Sequence, residues 1–414
     1  MVEKSKTFVN FILFLSVIIC FLFGVFPMPA EAQDIQTNKT VDDLKKEILH
    51  RSSINLYPVF GIPRNIMEET IKDIKTLKVD EWAEAFISSG DKYYNLGIKN
   101  AKNNELLAIK NYEIAQRLYN MGRWPAVTTS SRNTAYARER KAFEAVHRLN
   151  GTKMDIVTII FNKKTVTGDL ILPANSSSPV PLVISIGGLD GWKEARVTQL
   201  MPLVQHGAAL LSLDMPGTGQ SGVKMGAGAE ESLFAIIEKT LIRADIDPER
   251  VVFYGGSFGG YWTTLLASRN RIKLKGVVDQ SGPFSEAFNP DHLMSVFDGN
   301  EYLYDSFPAL NNLLSGTTNK SEFLKKIKLY AIDNLVSGSL TINCPVLIIG
   351  GKHDSLVPSG DLMPVLFSDG APRDAWINPN GIHMGRERGQ NATWNDKVIY
   401  QKIIFPWVEG SKNP

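Results

Sequence analysis

The stretch Val251-Val252-Phe253-Tyr254-Gly255-Gly256-Ser257-Phe258-Gly259-Gly260 runs from an apolar segment straight into a serine set in glycine. The apolar residues read as a buried strand and those after Ser257 as the start of a helix. The glycines are what a sharp strand-to-helix turn demands, because side chains beside such a turn collide. This is the G-x-S-x-G pattern of a nucleophile elbow, with the serine at the apex of a strained turn. Alone, the pattern also fits a Gly-rich loop around a buried, hydrogen-bonded serine, so the rest of the chain must supply the partners a serine nucleophile needs.

Apolar runs alternate with helical stretches on both sides of this segment. Leu182 to Ile186, Ala208 to Leu213, Gly276 to Val278 and Val346 to Ile349 are continuous rather than alternating, and a shorter strand is predicted at Ala375 to Ile377. Continuous apolar strands imply a sheet covered on both faces, and helices between them imply parallel crossovers. Asp155 to Ile160 and Thr165 to Leu172, separated by Asn162-Lys163-Lys164, predict an antiparallel hairpin at the start. The fold class is therefore α/β, a mostly parallel doubly wound sheet. The segment at about 283–340 is longer than a crossover requires and carries Phe284, Phe288, Phe297, Tyr302, Tyr304 and Phe307. It reads equally as a lid over the strand ends or as a helical subdomain packed on itself.

In such sheets ligands bind beyond the C-terminal ends of the strands. An unassisted serine is a poor nucleophile and needs a histidine base oriented by a carboxylate. Asp354 follows the Val346 strand in Gly351-Lys352-His353-Asp354, and His383 follows the last short strand in Gly381-Ile382-His383-Met384. Asp279, at its own strand end, is a competing acid. His353 precedes the acid and suits a loop neighbour. The strand ending at Ile186 leads into Gly187-Gly188-Leu189-Asp190-Gly191, whose small residues let amides point into a site. The backbone N–H groups of Leu189 and Phe258 are the expected oxyanion donors. Asp214, opening Asp214-Met215-Pro216-Gly217, is expected to organise a turn. No metal-ligand spacing, P-loop or dinucleotide fingerprint is present, so neither metal nor cofactor is expected.

Lys4 and Lys6, the apolar run Phe8 to Phe26 and Ala30-Glu31-Ala32 predict a signal peptide over residues 1–32, with secretion or periplasmic export as the consequence. An uncleaved membrane anchor is the alternative. Residues 33–150 have helical periodicity, at Met67, Ile71 and Ile74, at Ala115, Leu118 and Tyr119, and at Ala142, Phe143 and Val146. Residues 151–414 form the sheet-bearing unit. Lys and Arg number 45 against 43 Asp and Glu, so nothing electrostatic points to nucleic acid. Beyond Cys20 the only cysteine is Cys344, which excludes an internal disulfide in the mature chain.

With these parts in place the sequence resembles the α/β-hydrolase superfamily from about Gly151 onward. Gly187-Gly188-Leu189-Asp190 with Lys193-Glu194, the elbow extended to Tyr261, and a helical N-terminal region containing Trp124-Pro125 resemble its FrsA-like group more narrowly. That group includes 2,6-dihydroxypseudooxynicotine hydrolase and fungal polyketide-shortening hydrolases. The resemblance implies a helical N-terminal cap over the site, a triad of Ser257, Asp354 and His383, and a small-molecule carbonyl substrate, with a homodimer left open. It implies either ester hydrolysis or hydrolysis of a carbon–carbon bond beside a ketone. A non-catalytic binding protein on a hydrolase scaffold is the alternative from another class.

Overall fold

The computed structural model describes residues 33–412, apart from 175–178, 300, 315–316, 318, 337–338, 388 and 390–394. The predicted signal peptide thus lies outside the described residues.

Among the described residues five helices come first: α1 (Val41–Ser53), α2 (Arg64–Ile71), α3 (Val79–Asn100), α4 (Glu105–Arg123) and α5 (Ser130–Leu149). Thr40, Asn104 and Thr129 cap α1, α4 and α5 by accepting a backbone N–H of the first turn. Their apolar faces bury Trp82, Phe86, Leu118 and Trp124 in one cluster. Phe143 of α5 leaves that cluster and packs with Val183 and Val197 of the sheet-bearing unit. The helical region is therefore pinned to the sheet through α5.

The sheet consists of β1 (Lys153–Phe161), β2 (Lys164–Leu172), β3 (Val180–Ile186), β4 (Ala209–Leu213), β5 (Ile246–Gly256), β6 (Gly276–Gln280), β8 (Val346–Gly351) and β10 (Arg373–Asn378), in the spatial order β1-β2-β4-β3-β5-β6-β8-β10. A two-stranded ladder of β7 (Thr341–Ile342) and β9 (Asp369–Gly370), not foreseen from sequence, lies apart from it. β2 runs antiparallel to both β1 and β4, and every other pairing in the large sheet is parallel. The hairpin turns at Asn162 and Lys163, both at positive φ, as a two-residue turn matched to strand twist requires. Ile156 and Ile160 of β1 remain exposed on the sheet edge.

The central strands show why their runs are continuously apolar. Leu182, Ile184 and Ile186 face one core with Phe253 and Leu211, while Val183, Val252 and Leu210 face the other. Against the second face pack α6 (Lys193–Gln205), through Val197, Leu200 and Leu203, and α14 (Phe405–Lys412), through Phe405 and Val408. Against the first lie α7 (Glu230–Leu241) and α8 (Phe258–Ser268).

The segment after β6 contains α9 (Pro290–Asp298), α10 (Ser306–Asn311), α11 (Lys320–Ile327) and the short α12 (Ile332–Leu335). Asp361, fully buried beyond β8, fastens its beginning by accepting the amides of Phe284, Ser285, Glu286 and Ala287 at 2.5–3.0 Å. Tyr302 stacks on Trp124 at 4.9 Å, Tyr304 meets it edge-on at 4.8 Å, and Asp305 pairs with buried Arg132 at 2.6 Å. The segment therefore packs both on the sheet unit and on the N-terminal helices, not on itself alone. Between β8 and β10 the chain needs only a 3₁₀ turn and the one-turn α13 (Met363–Leu366), less helix than a full crossover would carry.

Candidate active site

Ser257 closes β5 and opens α8 with φ 56° and ψ −131°, a strained conformation for a residue with a side chain. Two neighbours make the turn possible. A Cβ on Gly255 would collide with the Gly259 carbonyl, and one on Gly259 with the Ile186 carbonyl. The strain lifts the hydroxyl out at the end of the sheet.

His383 lies just past β10, and its Nε2 is 2.8 Å from Ser257 Oγ. Its Nδ1 is 2.8 Å from Asp354 Oδ2, at the end of β8. With Nδ1 protonated toward the carboxylate, Nε2 is left to accept the serine proton. The other Asp354 oxygen accepts the amides of Leu356 and Val357 at 2.9 and 2.8 Å, which fixes the acid loop. The base loop is tied to the end of β6: Gln280 Nε2 donates to the Met384 carbonyl at 2.9 Å, and the Met384 amide donates to Ser281 Oγ at 3.1 Å. Burial disfavours the charged imidazole, but Asp354 and then Glu301 outweigh it and hold the His383 pKa above its ordinary value.

The structure thus brings together Ser257, His383 and Asp354, and it leaves Asp279 and His353 elsewhere. Asp279 accepts the Gly282 amide at 2.9 Å, and burial pushes its pKa up to about 7. His353 is exposed, its amide bonded to the Gly381 carbonyl.

Leu189 and Phe258 line the same cavity as Ser257 and His383. The amides around them are occupied: Gly187 donates to Leu213 O, Gly188 to Gly191 O and Ser257 to Gln280 O. Among the described residues no acceptor faces the Leu189 amide, and that of Phe258 is one of the unpaired donors that begin a helix. Gly188 lies close against the elbow, where a Cβ would fall 3.1 Å from Gly256 O.

Sequence reasoning missed Glu301. It reaches from the segment after β6 with Oε1 accepting the His383 amide at 3.0 Å and Oε2 accepting the Ser355 amide at 3.1 Å. One carboxylate therefore brackets the acid loop and the base loop. Its own carbonyl accepts from Arg51 of α1 at 3.2 Å, which links this bracket to the N-terminal helices. No strand-end rule points to such a residue.

Missed too was the ionic cluster behind the Leu189 loop. Asp214 does organise a turn, accepting the Lys193 and Gln220 amides at 3.0 and 2.8 Å. The Lys193 ammonium, fully buried, also meets Asp169 at 3.5 Å, Asp214 at 3.7 Å and Glu194. Arg140 of α5 joins it through Asp169 at 2.9 Å and Glu194 at 3.1 Å, and Tyr136 donates to Glu194 at 3.0 Å. Burial pushes the pKa values of Asp169 and Asp214 up against the pull of Lys193. This cluster joins α5, β2, α6 and the loop after β4.

The cavity in front of Ser257 has a volume of about 1580 Å³ and receives Tyr57, Trp124 and Asn120 from the N-terminal region and Phe288, Leu293 and Tyr302 from the segment after β6. Its walls are mixed apolar and polar, as small-molecule sites are.

A family model described as the alpha/beta hydrolase fold matches residues 180–320. A 2-hydroxy-6-oxononadienedioate/2-hydroxy-6-oxononatrienedioate hydrolase of Klebsiella pneumoniae subsp. pneumoniae is 26% identical over 249 residues, which is 53% of this chain and 83% of that protein. Esterase FrsA of Serratia proteamaculans is 25% identical over 209 residues, 49% of each chain. Among solved structures, a 2,6-dihydroxy-pseudo-oxynicotine hydrolase superposes with a TM-score of 0.68 at 16% identity, covering 87% of this chain and 94% of its own.

Proposed function

Since this chain is an α/β hydrolase, we propose that it works as a serine hydrolase on an ester or related carbonyl compound. The observation that carries the reading is the continuous chain of two 2.8 Å contacts from Ser257 through His383 to Asp354, opening on a cavity. His383 Nε2 takes the Ser257 proton as Oγ attacks the carbonyl carbon. The Leu189 and Phe258 amides receive the oxyanion, and Asp354 holds the imidazole in the correct tautomer and balances the imidazolium. Collapse expels the leaving group, which takes the proton from His383. Water, deprotonated by the same histidine, then releases the acyl group from Ser257.

A second reading is hydrolysis of a carbon–carbon bond beside a ketone. It is favoured by Tyr57 and Tyr302 lining the cavity together, since a carbanion or enolate leaving group calls for hydrogen-bond donors beyond the His383 proton that suffices for an alkoxide. Both hydroxyls resist ionisation, through burial first and the Asp190 charge second, and so stay protonated donors at neutral pH. Turnover of p-nitrophenyl esters beside a panel of β-diketones and aryl ketones separates the two. Ester turnover without ketone cleavage supports the first reading; ketone cleavage outrunning ester hydrolysis overturns it in favour of the second.

The basic start, apolar run and Ala30-Glu31-Ala32 end support export of the mature chain. A mature N-terminus at Gln33 in the exported fraction checks it, and a full-length chain retained in the cell contradicts it.

The His383 environment gives a pH expectation. The basic form is required, and Asp354 and Glu301 raise the pKa, so kcat/KM rises with pH through a midpoint above the ordinary histidine value of about 6.5. Removing the Glu301 charge takes away one raising influence. Glu301→Gln is therefore expected to move the midpoint to lower pH. Glutamine keeps one acceptor oxygen where the carboxylate offers two, so one of the Ser355 and His383 amides loses its partner, and kcat/KM on the plateau falls about tenfold from looser positioning. A pH–rate profile of the variant on an activated ester checks both effects.

A further inference from the structure

Arg196, in the first turn of α6, lines the cavity beside the elbow with only 6% of its surface exposed. Its Nη1 donates to Gln199 at 2.8 Å, its Nη2 reaches the Gly256 carbonyl at a long 3.5 Å, and its Nε has no hydrogen-bond partner among the described residues. Among the described residues no carboxylate lies within ion-pair distance of it. The other buried arginines of this region differ: Arg123 has Glu139 at 2.9 Å, Arg132 has Asp305 at 2.6 Å and Arg140 has Asp169 at 2.9 Å. A guanidinium is always charged, and a buried charge without a counter-charge is costly.

Asp190 is the cavity acid whose charge reaches Arg196, but the two form no ion pair. Asp190 accepts Trp124 Nε1 at 3.1 Å and lies beside the Tyr57 hydroxyl, so it is answered by neutral donors. A second cation, Arg386, lines the same cavity with its guanidinium 5.3 Å from the Tyr57 ring.

We propose that Arg196 is the seat of a substrate carboxylate, so that the compound hydrolysed at Ser257 is a monoanionic acid whose charge lies a short chain away from the scissile carbonyl. The planar fork matches a carboxylate in two-point contact, and a single guanidinium balances a single negative charge. Its Nη2 touches the carbonyl of the residue preceding the nucleophile, which keeps the acid close to the reacting bond. This inference rests on Ser257 being the nucleophile and names the substrate class for that site.

The test compares phenyl monoesters of glutaric and adipic acid with the same compounds capped as methyl esters, after subtraction of the uncatalysed rates. The wild-type protein is expected to favour a free acid over its capped form in kcat/KM. Arg196→Gln lowers that ratio by about 30-fold, the usual scale for losing a buried charge partner, and Arg196→Lys keeps part of it. Equal rates for acid and capped ester at both chain lengths, or an unchanged ratio in Arg196→Gln, overturn the proposal. If Arg196→Gln does not fold, glutarate protection of wild-type Ser257 from a fluorophosphonate decides: slowing by glutarate but not by glutaramide supports the seat, and equal or absent slowing overturns it. Absence of any fluorophosphonate labelling instead condemns the Ser257 reading itself.

Discussion

Ser257→Ala is expected to lose turnover by a factor of about 10⁴ or more on any substrate the protein hydrolyses, with thermal stability unchanged within about 1 kcal/mol. The size follows from the way the site acts as a unit. In the proposed mechanism His383 and Asp354 accelerate nothing without an oxygen to deprotonate, so the residual rate is what the oxyanion donors and binding provide alone. The fold should tolerate the change because alanine keeps the Cβ that already occupies the strained φ of 56°. Only the hydroxyl at 2.8 Å from the imidazole is removed. Steady-state kinetics with a melting curve on the same preparation check both halves.

The second large effect is on stability. Lys193→Met is expected to cost about 3–5 kcal/mol, because it removes a fully buried ammonium from three carboxylates and leaves their charge poorly compensated. Among the described residues Arg140 is then the one cation left touching Asp169 and Glu194. The deficit has a pH signature. Burial already raises the Asp169 and Asp214 pKa values in the intact protein, and losing Lys193 raises them further. A carboxyl whose folded pKa exceeds its unfolded pKa destabilises the fold increasingly as pH rises between the two values. The variant should accordingly recover part of its stability as pH is lowered from 8 to 5. Urea midpoints for both proteins at the two pH values measure this. Because α6 begins at Lys193, directly after the loop that presents Leu189, activity should fall along with stability.

Much of this was legible in the chain, for identifiable reasons. The strands at Leu182, Ala209 and Val251 stand out because burial on both faces keeps charged residues out of the whole run. Their order and the strand-end rule then bring Ser257, Asp354 and His383 together without any contact being known. The sequence favours Asp354 but leaves Asp279 as a competitor, since both end buried parallel strands. The choice depends on how the loop after β10 folds back, and that loop is fixed by Gln280 and Ser281.

Glu301, Arg196 and the Lys193 cluster were hidden for a different reason. Each gains its meaning from partners far away in sequence, as Glu301 does from Ser355 and His383, and local pattern carries no trace of such partners. The same holds for the segment after β6. Its aromatics signalled burial, but only the meeting of Tyr302 and Tyr304 with Trp124 says against what.

The proposed function stands or falls with Ser257 as an activated nucleophile. Reaction of the folded protein with a fluorophosphonate, followed by intact and peptide mass measurement, tests it most directly. One adduct per chain is expected, located on Ser257 and absent from His383→Ala. A folded protein that takes up no adduct, or takes it up at another residue, contradicts it.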